Sequence, residues 1–198
     1  MPGVAGAGVR FARRRDRCGE RAPCRRQTAS CDRACRPVGG DLAHAQYIVA
    51  TDTLTPPEDP GNPHFTPEEN AAGLNSAVAA FSTVLAGPTL AVDVLMAALF
   101  HGVGLIDPRL LESGFGIAHD AAGDIRTGGA IDVLSSRGAV PAGVAYPVLY
   151  PADGTTLPLT AFPGNESPDP LTSCAGFTAP TGAPVIVHAT STSVSTAS

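Results

Sequence analysis

The chain has 198 residues and is 43% hydrophobic, but with 5% aromatics and no Trp any core must rest on Leu, Val, Ile and Ala. Its 22 Gly and 19 Pro argue for many turns and short elements and against a long helical bundle. The formal charge of −5 hides a division. Ten of the thirteen cations, all of them Arg, fall between Arg10 and Arg36, which leaves residues 41–198 with three Arg against fifteen acidic side chains, a net of −12. So acidic a surface excludes nucleic acid as the partner of that part and suits cations.

Residues 1–40 have no helical or strand periodicity and too few apolar residues to bury. Four of the five Cys (Cys18, Cys24, Cys31, Cys35) lie there, at spacings that match no familiar zinc pattern. The stretch reads as a disordered leader, or as upstream sequence translated in a foreign frame; a basic interaction arm is the alternative. No apolar run reaches the roughly 18–20 residues of a membrane span. No apolar segment of ~7–15 residues follows a basic start, so no export signal is expected.

Order is expected from Asp41. The run DLAHAQYIVATDT places Leu42, Ala45, Tyr47, Ile48 and Val49 at helical spacing, with Asp41 as N-cap, and reads as the last turns of a helix whose beginning is missing. TPPEDPGNPHF holds four prolines and must be a loop. Thr66 as N-cap, Pro67 at the first helical position and Glu69 two residues later predict a capping box. The helix so started is expected to carry Ala71, Leu74, Val78, Phe81 and Leu85 on one face until Gly87-Pro88. TLAVDVLMAALFH predicts a further amphipathic helix with Val92, Leu95, Met96 and Leu99 inward. After Asp107-Pro108 the pattern turns to short strands, at residues 113–119, 130–136, 145–151 and 182–190, followed by a low-complexity tail.

Helices first and strands afterwards imply an α+β class. P-loop, GxGxxG, GxSxG and HExxH motifs are all absent from the sequence, which argues against nucleotide binding, serine hydrolase and zincin chemistry. The domains expected are a leader at 1–40, a main domain at 41–140, a Pro/Gly-rich β extension at 141–190 and a disordered tail at 191–198.

The stretches AHAQYIVATD, PPEDPGNPHFTPEENAAGLNSAV and AVDVLMAALFHGVGLIDPRLLESGFGIA resemble a bacterial branch of the CAP family (cysteine-rich secretory proteins, antigen 5 and pathogenesis-related 1, SCP-like). YPVLYPADGTTLPLTAFPGNESPDPL and GFTAPTGAPVIV are similar to the extension that follows in such proteins, and the DPRL–GFG pairing is the most specific part. The resemblance spans about three quarters of the chain. It implies an α-β-α sandwich, an extracellular or cell-surface setting, and two His with two acids facing a cleft that can hold a divalent metal. By motif, His101 matches the second family histidine, Glu69 the first glutamate with Glu68 its neighbour, and Asp93 falls near the second acid. The chain departs from the pattern where Pro57 stands in place of a His before Glu58-Asp59-Pro60, with His64 displaced toward the helix, and where Gly102 replaces an Arg.

Imidazole with carboxylate suits zinc or a similar divalent cation, so His101, Glu69, Asp93 and His64 form the candidate metal set. Each also has a plainer role open to it: Glu69 as a cap, His101 as a helix-terminal base, His64 as an exposed loop residue, Asp93 as a solvated charge. His44, His119 and His188 read as structural or exposed, Cys174 as a free thiol, and Asn165-Glu166-Ser167 as a sequon meaningful only in a eukaryotic secretory setting. No catalytic nucleophile with a base at recognisable spacing is found. The expected function is a non-catalytic, secreted or surface domain that binds a small ligand or cell-envelope component, with a metal-assisted peptide or glycan hydrolase and a basic-arm protein as alternatives.

Overall fold

A computed structural model describes residues 38–189. Of the leader expected at 1–40, residues 1–37 lie outside the described residues and 38–40 are helical, and the tail expected at 191–198 also lies outside them. Helices and short antiparallel sheets are both present, a mixed α+β composition.

Helix α1 runs Val38–Thr51 and buries Ala45, Ile48 and Val49, as their spacing predicts. Burying Ile48 or Val49 contributes about 1.5–3 kcal/mol each. The helix begins three residues before Asp41, so Asp41 is not its N-cap but a buried member of its first turn. Asp52 ends it in a left-handed conformation (φ 53°), and its carboxylate then accepts the amides of Asp124 and Ile125.

Helix α2, Pro67–Leu74, starts as expected with the Thr66 hydroxyl accepting the Glu69 amide. The return half of the capping box is replaced, because the Thr66 amide donates to Glu58 Oε2. The helix does not continue to residue 85. Asn75 closes it, and Ser76–Phe81 is strand β1. The small apolar run Ala77, Val78, Ala79 is buried on both faces of a sheet, which a single helical stripe could not achieve, and Leu85 is left 88% exposed. The apolar spacing in this segment fits both periods, and the tertiary partner decides between them.

The next predicted helix is two, α3 (Pro88–Ala97) and α4 (Leu99–Leu105), bent by 115° at Ala98, whose ψ of 126° is extended. None of the described helices is by itself long and apolar enough to cross a membrane. Strands β2 (Phe115–His119) and β3 (Thr127–Asp132) complete an antiparallel sheet in the order β1-β3-β2.

Helix α1 lies along one face of this sheet, where Ala45, Ile48 and Val49 meet Val78, Ala118 and Ala130. Leu95 of α3 packs on the other with Ala77, Ala79, Ile131 and Val133. Alternation along each strand supplies both faces. Gly116 permits the close approach of α1: a Cβ there would lie 2.2 Å from the Asp41 carbonyl carbon.

The C-terminal part forms two small two-stranded antiparallel sheets, β4 (Val148–Tyr150) with β7 (Ile186–His188), and β5 (Ala161–Phe162) with β6 (Thr181–Gly182). It is tied to α4: Ile186 packs on Gly102, and His188 Nε2 donates to the Val103 carbonyl at 3.2 Å.

Candidate functional site

Breaking a helix at Ala98 frees the first amides of α4, and no side chain at Ala98 caps them. A carboxylate from the C-terminal part does so instead. Glu166 Oε1 accepts the His101 amide at 2.9 Å and also lies 2.8 Å from His101 Nδ1. The Glu166 side chain is fully buried and its second oxygen, Oε2, has no partner, while the imidazole is 23% exposed. Since the carboxylate accepts, Nδ1 carries a proton, and in the neutral imidazole Nε2 then presents its lone pair. A carboxylate that fixes both the tautomer and the orientation of an imidazole is the support that binding and metal-ligating histidines generally have. The same oxygen thus caps a helix and aims a ring.

The second pair lies between α1 and the proline-rich loop. His44 Nδ1 is 2.8 Å from Glu58 Oε1, with both side chains fully buried, and His44 Nε2 has no partner. Asn70 Oδ1 accepts the Glu58 amide and Tyr47 Oη the Asp59 amide, which pins the loop to α1 and α2. Space for the His44 ring exists because residue 73 is Gly: a Cβ there would lie 2.4 Å from His44 Cε1. With no path to solvent at the ring, this pair is a structural joint.

The four residues expected to share a metal are dispersed in role. His101 is held by Glu166. Glu69 sits at the start of α2 beside the buried pair, where partial burial and then the Glu58 charge raise its carboxyl above the ordinary value, opposed by the Thr66 hydroxyl and His44. Asp93 on α3 faces Tyr150, whose hydroxyl is raised by burial and by that charge. His64 is exposed in the loop, its amide donating to Asn62 Oδ1. Among the described residues no three His, Cys, Asp or Glu side chains gather as a metal-binding group.

Sequence reasoning missed Glu166, which lies 65 positions from His101 and reads as the middle of a sequon. It also left Glu58 and His44 without a partner. One signal was available for the latter pair: an acid inside a proline-rich loop next to a helix that carries a His on its apolar side. His119 Nδ1 lies 2.9 Å from Thr127 Oγ1, and Cys174 is exposed and free, as expected.

Two of the three arginines of this part converge on one buried acid. Asp107 accepts Arg109 Nη2 at 2.7 Å and lies 3.5 Å from Arg137 Nη1. Hydrogen bonding from Arg109 holds the Asp107 carboxyl down at about 2. This fastens the segment after α4 to the turn after β3.

Comparison of the chain with family models, with curated proteins and with solved structures returns no match to any of them.

Proposed function

We propose that residues 41–198 are a secreted or cell-surface, CAP-like α-β-α domain of non-catalytic binding type, and that His101 is its ligand contact. The observation that carries this is the Glu166–His101 pair: a buried carboxylate that holds a part-exposed ring through its Nδ1. The motif resemblance over AVDVLMAALFHGVGLIDPRLLESGFGIA, with α1 and α3 on opposite sides of the sheet, supports the CAP-like reading.

A lone pair at Nε2 recognises an N–H or O–H donor. The net charge of −12 over residues 41–198 favours a neutral or cationic ligand over an anionic one. A neutral N-acetylated sugar of the cell envelope has both properties. Among the described residues His101 has no second His and acid beside it in a ligating group, so binding is assigned to the imidazole itself. No nucleophile accompanies His101, and no reaction step is assigned.

The test is a titration of the full chain with N-acetylglucosamine oligomers, followed by the backbone amide signals in both proteins and by the ring-nitrogen signals of His101 in the unaltered chain. Saturable shifts that vanish in His101→Ala, with the fold retained, support the reading. Shifts that persist in that variant, no shift at all, or turnover of the oligomer would each overturn it.

A further inference from the structure

We infer that Asp41 is held as a neutral acid in the folded domain, and that its ionisation is a switch which loosens the first turn of α1 from the sheet as pH rises. This does not depend on what His101 binds.

Among the described residues five carboxyl groups are buried: Asp41, Glu58, Asp107, Asp132 and Glu166. Three have a cation or an imidazole against them, and Asp132 accepts the amides of Leu134 and Ser135 and the Ser135 hydroxyl. Among the described residues Asp41 has only the hydroxyl of Ser76, at 3.0 Å from Oδ1, and its Oδ2 has no partner. It is fully buried.

Ser76 has a single hydroxyl proton, and its Oγ lies 3.0 Å from Asp41 Oδ1 and 2.8 Å from the Ala72 carbonyl, so a carboxylate here has at most one shared donor. An unpartnered oxygen also costs far less on a neutral acid than on a buried carboxylate.

The charged group that faces Asp41 is Asp132, which stands opposite Ser76 in the β1–β3 register and is also negative. β1 offers the neutral Ser76, and β2 offers the backbone at Gly116. On α1 itself, His44 is taken by Glu58. The N-terminal end of α1 favours the ionised form by about a factor of two to five, too little to reverse the balance. Burial is the largest influence and, with Asp132 adding to it and Ser76 opposing, raises the carboxyl from 3.8 to about 6.

The sign follows. Below 3.8 the group is protonated whether the chain is folded or not. Between 3.8 and about 6 the unfolded chain releases the proton and the folded domain keeps it, so stability falls as pH rises through that window and levels off above it. The loss approaches about 100-fold in the folded-to-unfolded ratio, at tenfold for each pH unit of separation.

The test compares the full chain with Asp41→Asn, which keeps the shape and cannot ionise. Urea unfolding from pH 4 to pH 7.5 should show the ratio of their unfolding constants changing by about 100-fold, with the variant relatively more stable at the higher pH. A ratio constant within threefold would overturn the inference. If Asp41→Asn does not fold, the carboxyl carbon signal of Asp41 in the unaltered chain decides: a midpoint near 6 upholds it, and one at or below 4 refutes it. Amide exchange at residues 41–45, corrected for its intrinsic pH dependence, should quicken through the same window, and an unchanged rate would remove the switch.

Discussion

The Glu166–His101 pair makes a quantitative demand on stability. In His101→Ala the buried carboxylate keeps the backbone amide of residue 101 but loses the ring, and its Oε2 is already without a partner. Breaking a fully buried ion pair costs 3–5 kcal/mol. Because the amide remains and the ring is 23% exposed, the cost here is set lower, at about 2–3 kcal/mol. Glu166→Ala frees both donors of residue 101 and leaves a small cavity, for a similar about 2–3 kcal/mol. If the two side chains act through each other, the double variant costs about 3 kcal/mol rather than the sum, a coupling of about 1–3 kcal/mol. Urea unfolding of the four proteins at pH 7 measures it, with Glu166→Gln retaining one acceptor and falling between. Additivity within about 0.5 kcal/mol would mean that Glu166 serves only the helix amide. The reasoning that makes His101 an aimed ring, and with it the proposed ligand contact, would then fail.

Other expectations follow from single positions. Gly73→Ala places a Cβ 2.3 Å from the Pro56 carbonyl oxygen and 2.4 Å from the His44 ring, and is expected to cost about 3 kcal/mol or more, whereas Gly182→Ala meets nothing within 4 Å and should stay within about 0.5 kcal/mol in the same denaturation assay. Leu85→Lys, at a residue left 88% exposed, should also be near neutral; a loss above about 1.5 kcal/mol would favour a continuous buried helix over strand β1. Asp107, held at about 2 by Arg109, contributes stability that is present above 3.8 and lost as pH falls through about 2. With the Arg109 guanidinium half exposed, the contribution is about 1–2 kcal/mol, and Asp107→Asn should flatten the acid limb of a pH–stability profile by that amount.

Local signals in the sequence were enough for the start of α2, because the Thr66 hydroxyl takes a free amide within one turn and Pro67 fits the first helical position, whereas the return bond expected of Glu69 is made by Glu58. They were enough for the buried stripe of α1, since Ala45, Ile48 and Val49 can share a face only at helical spacing. The mixed α+β composition and the short strands after Asp107 were legible for the same reason: turns rich in Gly and Pro bound brief apolar runs.

What the sequence could not decide were the places where local preference was balanced or absent. Ala77, Val78 and Ala79 suit a helix and a strand about equally, and pairing with β3 settles the matter by burying them on both sides. The break at Ala98 has no local cause in a run of good helix formers; Glu166, far away in the chain, takes the amide that the break exposes. Helix α1 places Asp41 and His44 inside, and only the tertiary structure gives one a carboxylate partner and leaves the other with a single shared hydroxyl. The physical reason is the same in each case. Caps and periodicity act within a turn or two, whereas the partner of a buried polar group is chosen by whichever distant segment the packing brings to it.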